Sequence, residues 1–230
     1  TACNKAFAAT MDSKFKQLAV KNMEFILEKF PAKNNQEFFH TWKNEQAKYP
    51  AFLDDYAYLV QALIHLQEIT GEKKYLLEAK AITEFVIEQF SEEETGFFFY
   101  TSITQSDVIL RKKEVYDGAV PSGNAVMAWN LYYLSIVFDL REWQERSVKM
   151  LTSLSKAIRD YPSSFGVWAS LLLEMTRGTN EIAIVGKDWE NLHRELLQEY
   201  IPHRILMASP EGDQGFPLLK EKQTLVHPAI

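Results

Sequence analysis

The feature that most constrains this chain is an alternation of two kinds of helical segment. Residues 72–90, "EKKYLLEAKAITEFVIEQF", carry an apolar stripe at helical spacing with Lys and Glu elsewhere. Residues 56–70, "YAYLVQALIHLQEIT", and 125–138, "AVMAWNLYYLSIVF", are apolar on nearly every side. A helix of the second kind must be covered all round, and one of the first kind can cover it from outside. The amphipathic design recurs. At an offset of about 60 residues Phe15 falls on Tyr75, Ala19 on Ala79, Phe25 on Phe85 and Phe30 on Phe90. At a further offset of about 68 residues Trp143 falls on Tyr75 and Met150 on Ile82. Each copy follows a more apolar segment, and "FGVWASLLLEM" (165–175) reads as a fourth buried helix.

Inner and outer helices in alternation predict a mainly α protein, a partial (α/α)6 toroid holding roughly half of a six-hairpin ring. The helical hairpins span 1–178. "GFFFYTS" (96–102) and "DVILRKK" (107–113) read as a β-hairpin inserted among them. Beyond Gly178 the pattern turns mixed: "EIAIVG" and "RILMAS" read as short strands flanking a helix near 188–200, and "TLVHPAI" as a further strand. Residues 179–230 are therefore expected to form a small α/β segment packed on the same domain. The opening "TACNKAFAAT" and the apolar close read as the ends of a piece cut from a longer chain. Half a ring would leave apolar faces uncovered, so self-association or docking to the missing half is expected.

Charge and cysteine content narrow the function classes. A net charge of −6 without a Lys/Arg block excludes a nucleic-acid footprint of the usual kind. No apolar run is long enough to span a bilayer. The single cysteine, Cys3, excludes an internal disulfide framework and a CxxC pair, and a cytoplasmic setting fits. The five histidines have no ligand spacing, and no phosphate-binding or nucleophile-elbow motif occurs, so neither metal nor cofactor is expected.

Two helix starts carry the chemistry-bearing residues. In "FLDDYAYL" (52–59), Asp54 and Asp55 precede an apolar helix. In "KEVYDGAVPSGNAVMAWNL" (113–131), Asp117, Ser122 and Asn124 do the same. Gly118, Pro121 and the cap-forming Ser122 or Asn124 make a well-formed start to a helix, and acids there also serve the helix dipole. In a toroid, however, the inner-helix N-termini converge on one mouth. Asp54, Asp55 and Asp117 are then candidates for general acid and base, with Tyr56, Tyr100, Tyr116, Ser122 and Asn124 binding a substrate.

The stretches "FLDDYAYLVQALIHLQEITGEKKYLLEAKAITEFVIEQF", "GFFFY" and "KEVYDGAVPSGNAVMAWNL" resemble the C-terminal region of the YyaL-type, spermatogenesis-associated thioredoxin-like family. The likeness continues through "YPSSF" and "EIAIVG". It implies an N-terminal thioredoxin-like domain joined to a toroid similar to that of N-acylglucosamine 2-epimerase. Under that resemblance the thioredoxin-like part and the first hairpins lie outside this chain and would be its partners. The expected activity is acid/base chemistry on a sugar-like small molecule, by epimerisation, isomerisation or glycoside hydrolysis. The alternative is a non-catalytic scaffold that serves the thioredoxin-like domain.

Overall fold

The computed structural model describes residues 1–32, 37–106 and 108–220. The strand expected at "TLVHPAI" lies outside the described residues. Three helical hairpins come first: α1 (Ala2–Thr10) with α2 (Ser13–Lys29), α3 (Leu53–Thr70) with α4 (Lys74–Phe90), and α5 (Gly123–Phe138) with α6 (Arg141–Ser153). A short α7 (Ser155–Asp160) and α8 (Gly166–Arg177) follow. The fold is mainly helical, as the periodicity requires.

Burial follows the two kinds of segment. In α5 the side chains from Asn124 to Ala128 and from Asn130 to Ser135 are all buried. In α3 the partly exposed positions Asp54, Tyr58, Gln61, Ala62, His65 and Glu68 fall on one face, Asp55 is partly exposed beside them at the helix start, and the remainder is core. The outer helix α4 buries Tyr75, Ala79, Ile82, Phe85, Val86 and Phe90, the stripe read from its sequence. Its counterpart α2 is less covered, burying Met23 while Leu18 and Phe25 stay exposed. The expected fourth buried segment, α8, is only half so: Trp168 and Leu171 are core but Leu172 and Leu173 face solvent.

α3 and α5 lie side by side and parallel. Tyr58 donates to the Pro121 carbonyl near their starts, Asn130 Nδ2 to the Ala57 carbonyl midway, and Tyr133 to Glu68 Oε1 towards their ends. The C-terminal ends are covered by a βαβ unit, β3 (Asn180–Val185), α9 (Trp189–Gln198) and β4 (Arg204–Ser209), whose strands pair in parallel. Gln67 Nε2 donates to the Leu206 carbonyl at 3.2 Å, and the His193 Nε2–H to the Glu68 carbonyl at 2.7 Å.

The expected β-hairpin over 96–113 does not form among the described residues. Its backbone groups go elsewhere. The Phe99 amide donates to the Phe90 carbonyl at the end of α4, and the Phe98 amide to Asn124 Oδ1. Among the described residues one backbone bond, Tyr100 N–H to the Lys112 carbonyl, joins the two arms, and the Arg111 guanidinium adds two side-chain bonds to the Thr101 carbonyl. The hairpin that does form is β1 (Phe39–Lys43) with β2 (Gln46–Pro50). Its two-residue turn, Asn44-Glu45, has φ 52° and 58°. Positive φ at both positions is the turn that matches strand twist.

Candidate functional site

The first turn of α3 separates its residues by direction. Leu53 enters the core. Asp55 closes the helix start: its Oδ2 accepts the Phe52 amide at 2.9 Å and lies 2.7 Å from Nδ1 of His40 on β1. Asp54 turns towards α5, where the Gly123 amide hydrogen-bonds its carboxylate. Burial pushes the Asp54 carboxyl above its ordinary value. The Gly123 amide opposes that shift, and the nearby charges of Glu114 and Asp55 add to it.

A cavity of about 600 Å³ opens beside this turn, bounded by α1, α2, α3 and β1. Asp54, Asp55, His40 and Tyr58 line one part of it. The remaining wall is largely carbon, with Met23, Ile26, Phe30, Leu59 and Leu66 among its residues. Tyr58 stands one turn after Asp54 on the same face. Burial raises its phenol, and Asp54 and Asp117 raise it further.

The other residues singled out by sequence lie away from the cavity, except Tyr56. Tyr56 belongs to the core: its hydroxyl accepts the Phe38 amide at 2.9 Å, its ring meets Phe38, Phe85 and Phe90, and burial pushes its phenol up to about 12. Tyr100 stacks on Phe52 at 4.8 Å, and burial together with Asp54, Asp55 and Glu114 raises its phenol. Asp117 ties two helix starts together, accepting the Ser122 amide at 3.1 Å on Oδ1 and the Val167 amide at 2.8 Å on Oδ2. Ser122 caps α5 by accepting the Ala125 amide. Asn124 is fully buried and acts as a strand would, accepting from the Phe98 amide and donating to the Phe98 and Glu114 carbonyls. Tyr116 is exposed, with its ring 5.1 Å from Phe165.

Asp54 and Asp55 are thus brought together, and Asp117 is held apart by the backbone of α5 and α8. Two residues that sequence reasoning passed over join the pair. Tyr58 had a signal in its spacing from Asp54. His40 had none, because the turn that swings it over Asp55 lacks an Asn-Gly pair. Among the described residues no group of three His, Cys, Asp or Glu side chains could hold a metal ion. No helix among them is long and apolar enough to cross a membrane.

No family model matches the sequence. Spermatogenesis-associated protein 20 of Rattus norvegicus is 30% identical over 176 residues, covering 74% of this chain and 22% of that protein. The protein of the same name in Homo sapiens is 29% identical over 167 residues, covering 70% of this chain and 21% of its own length. An uncharacterized protein of Caenorhabditis elegans is 28% identical over 189 residues, 79% of this chain and 26% of that protein. The chain therefore spans about a fifth to a quarter of the length of the curated relatives it matches. Along 74% of its length, this chain is similar to a segment of spermatogenesis-associated protein 20.

Proposed function

We propose that this chain is the later part of a six-hairpin α/α toroid in a thioredoxin-domain-containing protein, and that it handles protons on a sugar-like small molecule. One observation carries the reading: two neighbouring carboxylates with different surroundings share one cavity. Asp54 is half-buried and its carboxyl is raised, which suits a proton donor. Asp55 is bonded to His40 and suits an orienting partner for that imidazole as proton acceptor.

Between the chemistries that a toroid of this kind hosts, the arrangement favours isomerisation or epimerisation. His40 would take the proton from a carbon next to a carbonyl. Asp54 would give its proton to the carbonyl oxygen, leaving an enediol that reprotonates at either carbon or on either face. Hydrolysis by opposed carboxylates is less favoured, because both oxygens of Asp117 are bonded to backbone amides outside the cavity. The test is exchange of solvent deuterium into a panel of aldoses, ketoses and their phosphates. Asp54→Asn and His40→Gln should each slow exchange by about 100-fold or more while the fold persists. Exchange unchanged in both variants would overturn the reading.

A second reading, a scaffold for the thioredoxin-like domain, has its own support. Asp117, Ser122 and Asn124 are engaged in holding backbone segments together. Under it, Asp54→Asn and Asp55→Asn leave the affinity for that domain unchanged, and no sugar shows exchange.

A further inference from the structure

Resting on the sugar reading above, we infer that the cavity takes a sugar joined to an apolar group, with the sugar at Asp54, Asp55 and His40 and the apolar part between α1, α2 and α3. The walls state the case. Apart from the carboxylates and His40 the lining is mostly carbon, with Met23, Ile26, Phe30, Leu59, Ala62 and Leu66 outnumbering the polar Thr1, Asn4 and Asn22. Such a surface offers a sugar's hydroxyl groups little in exchange for the water they leave. A volume of about 600 Å³ lies in the range that encloses a mid-sized organic ligand. A lone pyranose at the carboxylates would leave the apolar part of that space unfilled.

The polar atoms are grouped to match. Asp54, Asp55, His40 and Tyr58 come from the starts of α3 and β1. Asn4 of α1 also lines the cavity, with only 4% of its surface exposed. Its Nδ2 donates to the Ala62 carbonyl at 3.4 Å, and its Oδ1 accepts no hydrogen bond within the described residues. A buried amide oxygen in that condition is costly unless a ligand donor reaches it. A sugar hydroxyl is a donor of the kind that oxygen lacks, and Asn4 would turn its amide into the cavity to receive it.

The experiment is calorimetric titration of the 230-residue chain with methyl, butyl and hexyl β-glucosides and with hexan-1-ol. Each added methylene should tighten binding by about 3- to 4-fold until the apolar part is filled. Hexan-1-ol should bind at least 10-fold more weakly than hexyl glucoside. Ala62→Phe, which narrows the apolar part, should cost hexyl glucoside 10-fold or more and leave methyl glucoside unchanged. Should that variant fail to fold, Leu18→Gln at the half-exposed rim should weaken hexyl glucoside alone, by about 2- to 3-fold. Equal affinity of methyl and hexyl glucosides overturns the inference and leaves the sugar reading standing. Equal affinity of hexan-1-ol and hexyl glucoside also overturns the inference, as does a failure of every glucoside to bind at millimolar concentration. A glucoside has no free carbonyl, so the sugar reading itself is judged by the deuterium exchange described above.

Discussion

Gly123 shows how tightly the site residues are fitted. A Cβ there would collide with Asp54 Oδ1 and stand 3.2 Å from both Asp54 N and Leu53 Cγ. The helix starts meet backbone to backbone, and only glycine allows it. Gly123→Ala should destabilise the chain by about 1–3 kcal/mol in thermal or denaturant unfolding, through overpacking rather than backbone strain. Adding Asp54→Ala should restore part of that loss, a coupling that a double-mutant cycle measures. The sequence "PSGN" announced a helix start, and Ser122 caps as its type suggested. It could not announce that Gly123 is needed for the approach of α3, or that the Asn124 amide serves Phe98, 26 residues away. Those roles depend on contacts between segments, which residue type and spacing do not encode.

At the scale of elements, extended segments are anchored by side chains. Arg146 of α6 donates through Nε to the Gly96 carbonyl, through Nη2 to the Phe97 carbonyl and through Nη1 to Ser91 Oγ, with its guanidinium 3.9 Å from the centre of the Phe98 ring. Burial lowers that guanidinium to about 10, still charged at neutral pH. Lysine cannot reproduce the fork, so Arg146→Lys should cost about 2–3 kcal/mol and loosen the segment that carries Tyr100, seen as faster amide exchange at 96–100. This anchoring explains why the hairpin read from "GFFFYTS" does not form: a side chain and a helix end supply the partners a second strand would have given. The true hairpin was illegible because Glu45 occupies a left-handed position usually marked by glycine. Glu45→Gly should relieve that conformation and raise stability by about 0.5–1 kcal/mol in the same unfolding assay.

Across the whole molecule, the helical hairpins and the βαβ unit meet at the C-terminal ends of α3 and α5. His193 is at the centre of that contact. Burial lowers its imidazole below the ordinary value, the Glu68 carbonyl opposes this, and Lys16 and Arg204 add to the lowering. The folded state thus favours neutral His193, whereas the unfolded chain takes up a proton near pH 6.5. Its contribution to stability should be complete above that value and decline as the pH falls below it. Urea midpoints measured from pH 7.5 to 5 should show the decline, and His193→Gln should flatten it. The alternation of helix types, and strands at 181–186 and 204–209 flanking a helix, were legible because each rests on local periodicity. Where the βαβ unit attaches was not, since Glu68 and His193 stand 125 residues apart. The missing Cβ at position 123 has a mechanical consequence at this scale. With no compliant side chain between them, the carboxylate of Asp54 bears directly on the main chain of its neighbour. A guest that draws that carboxylate aside therefore takes away the partner of the Gly123 amide, and the first turn of α5 registers the change at once.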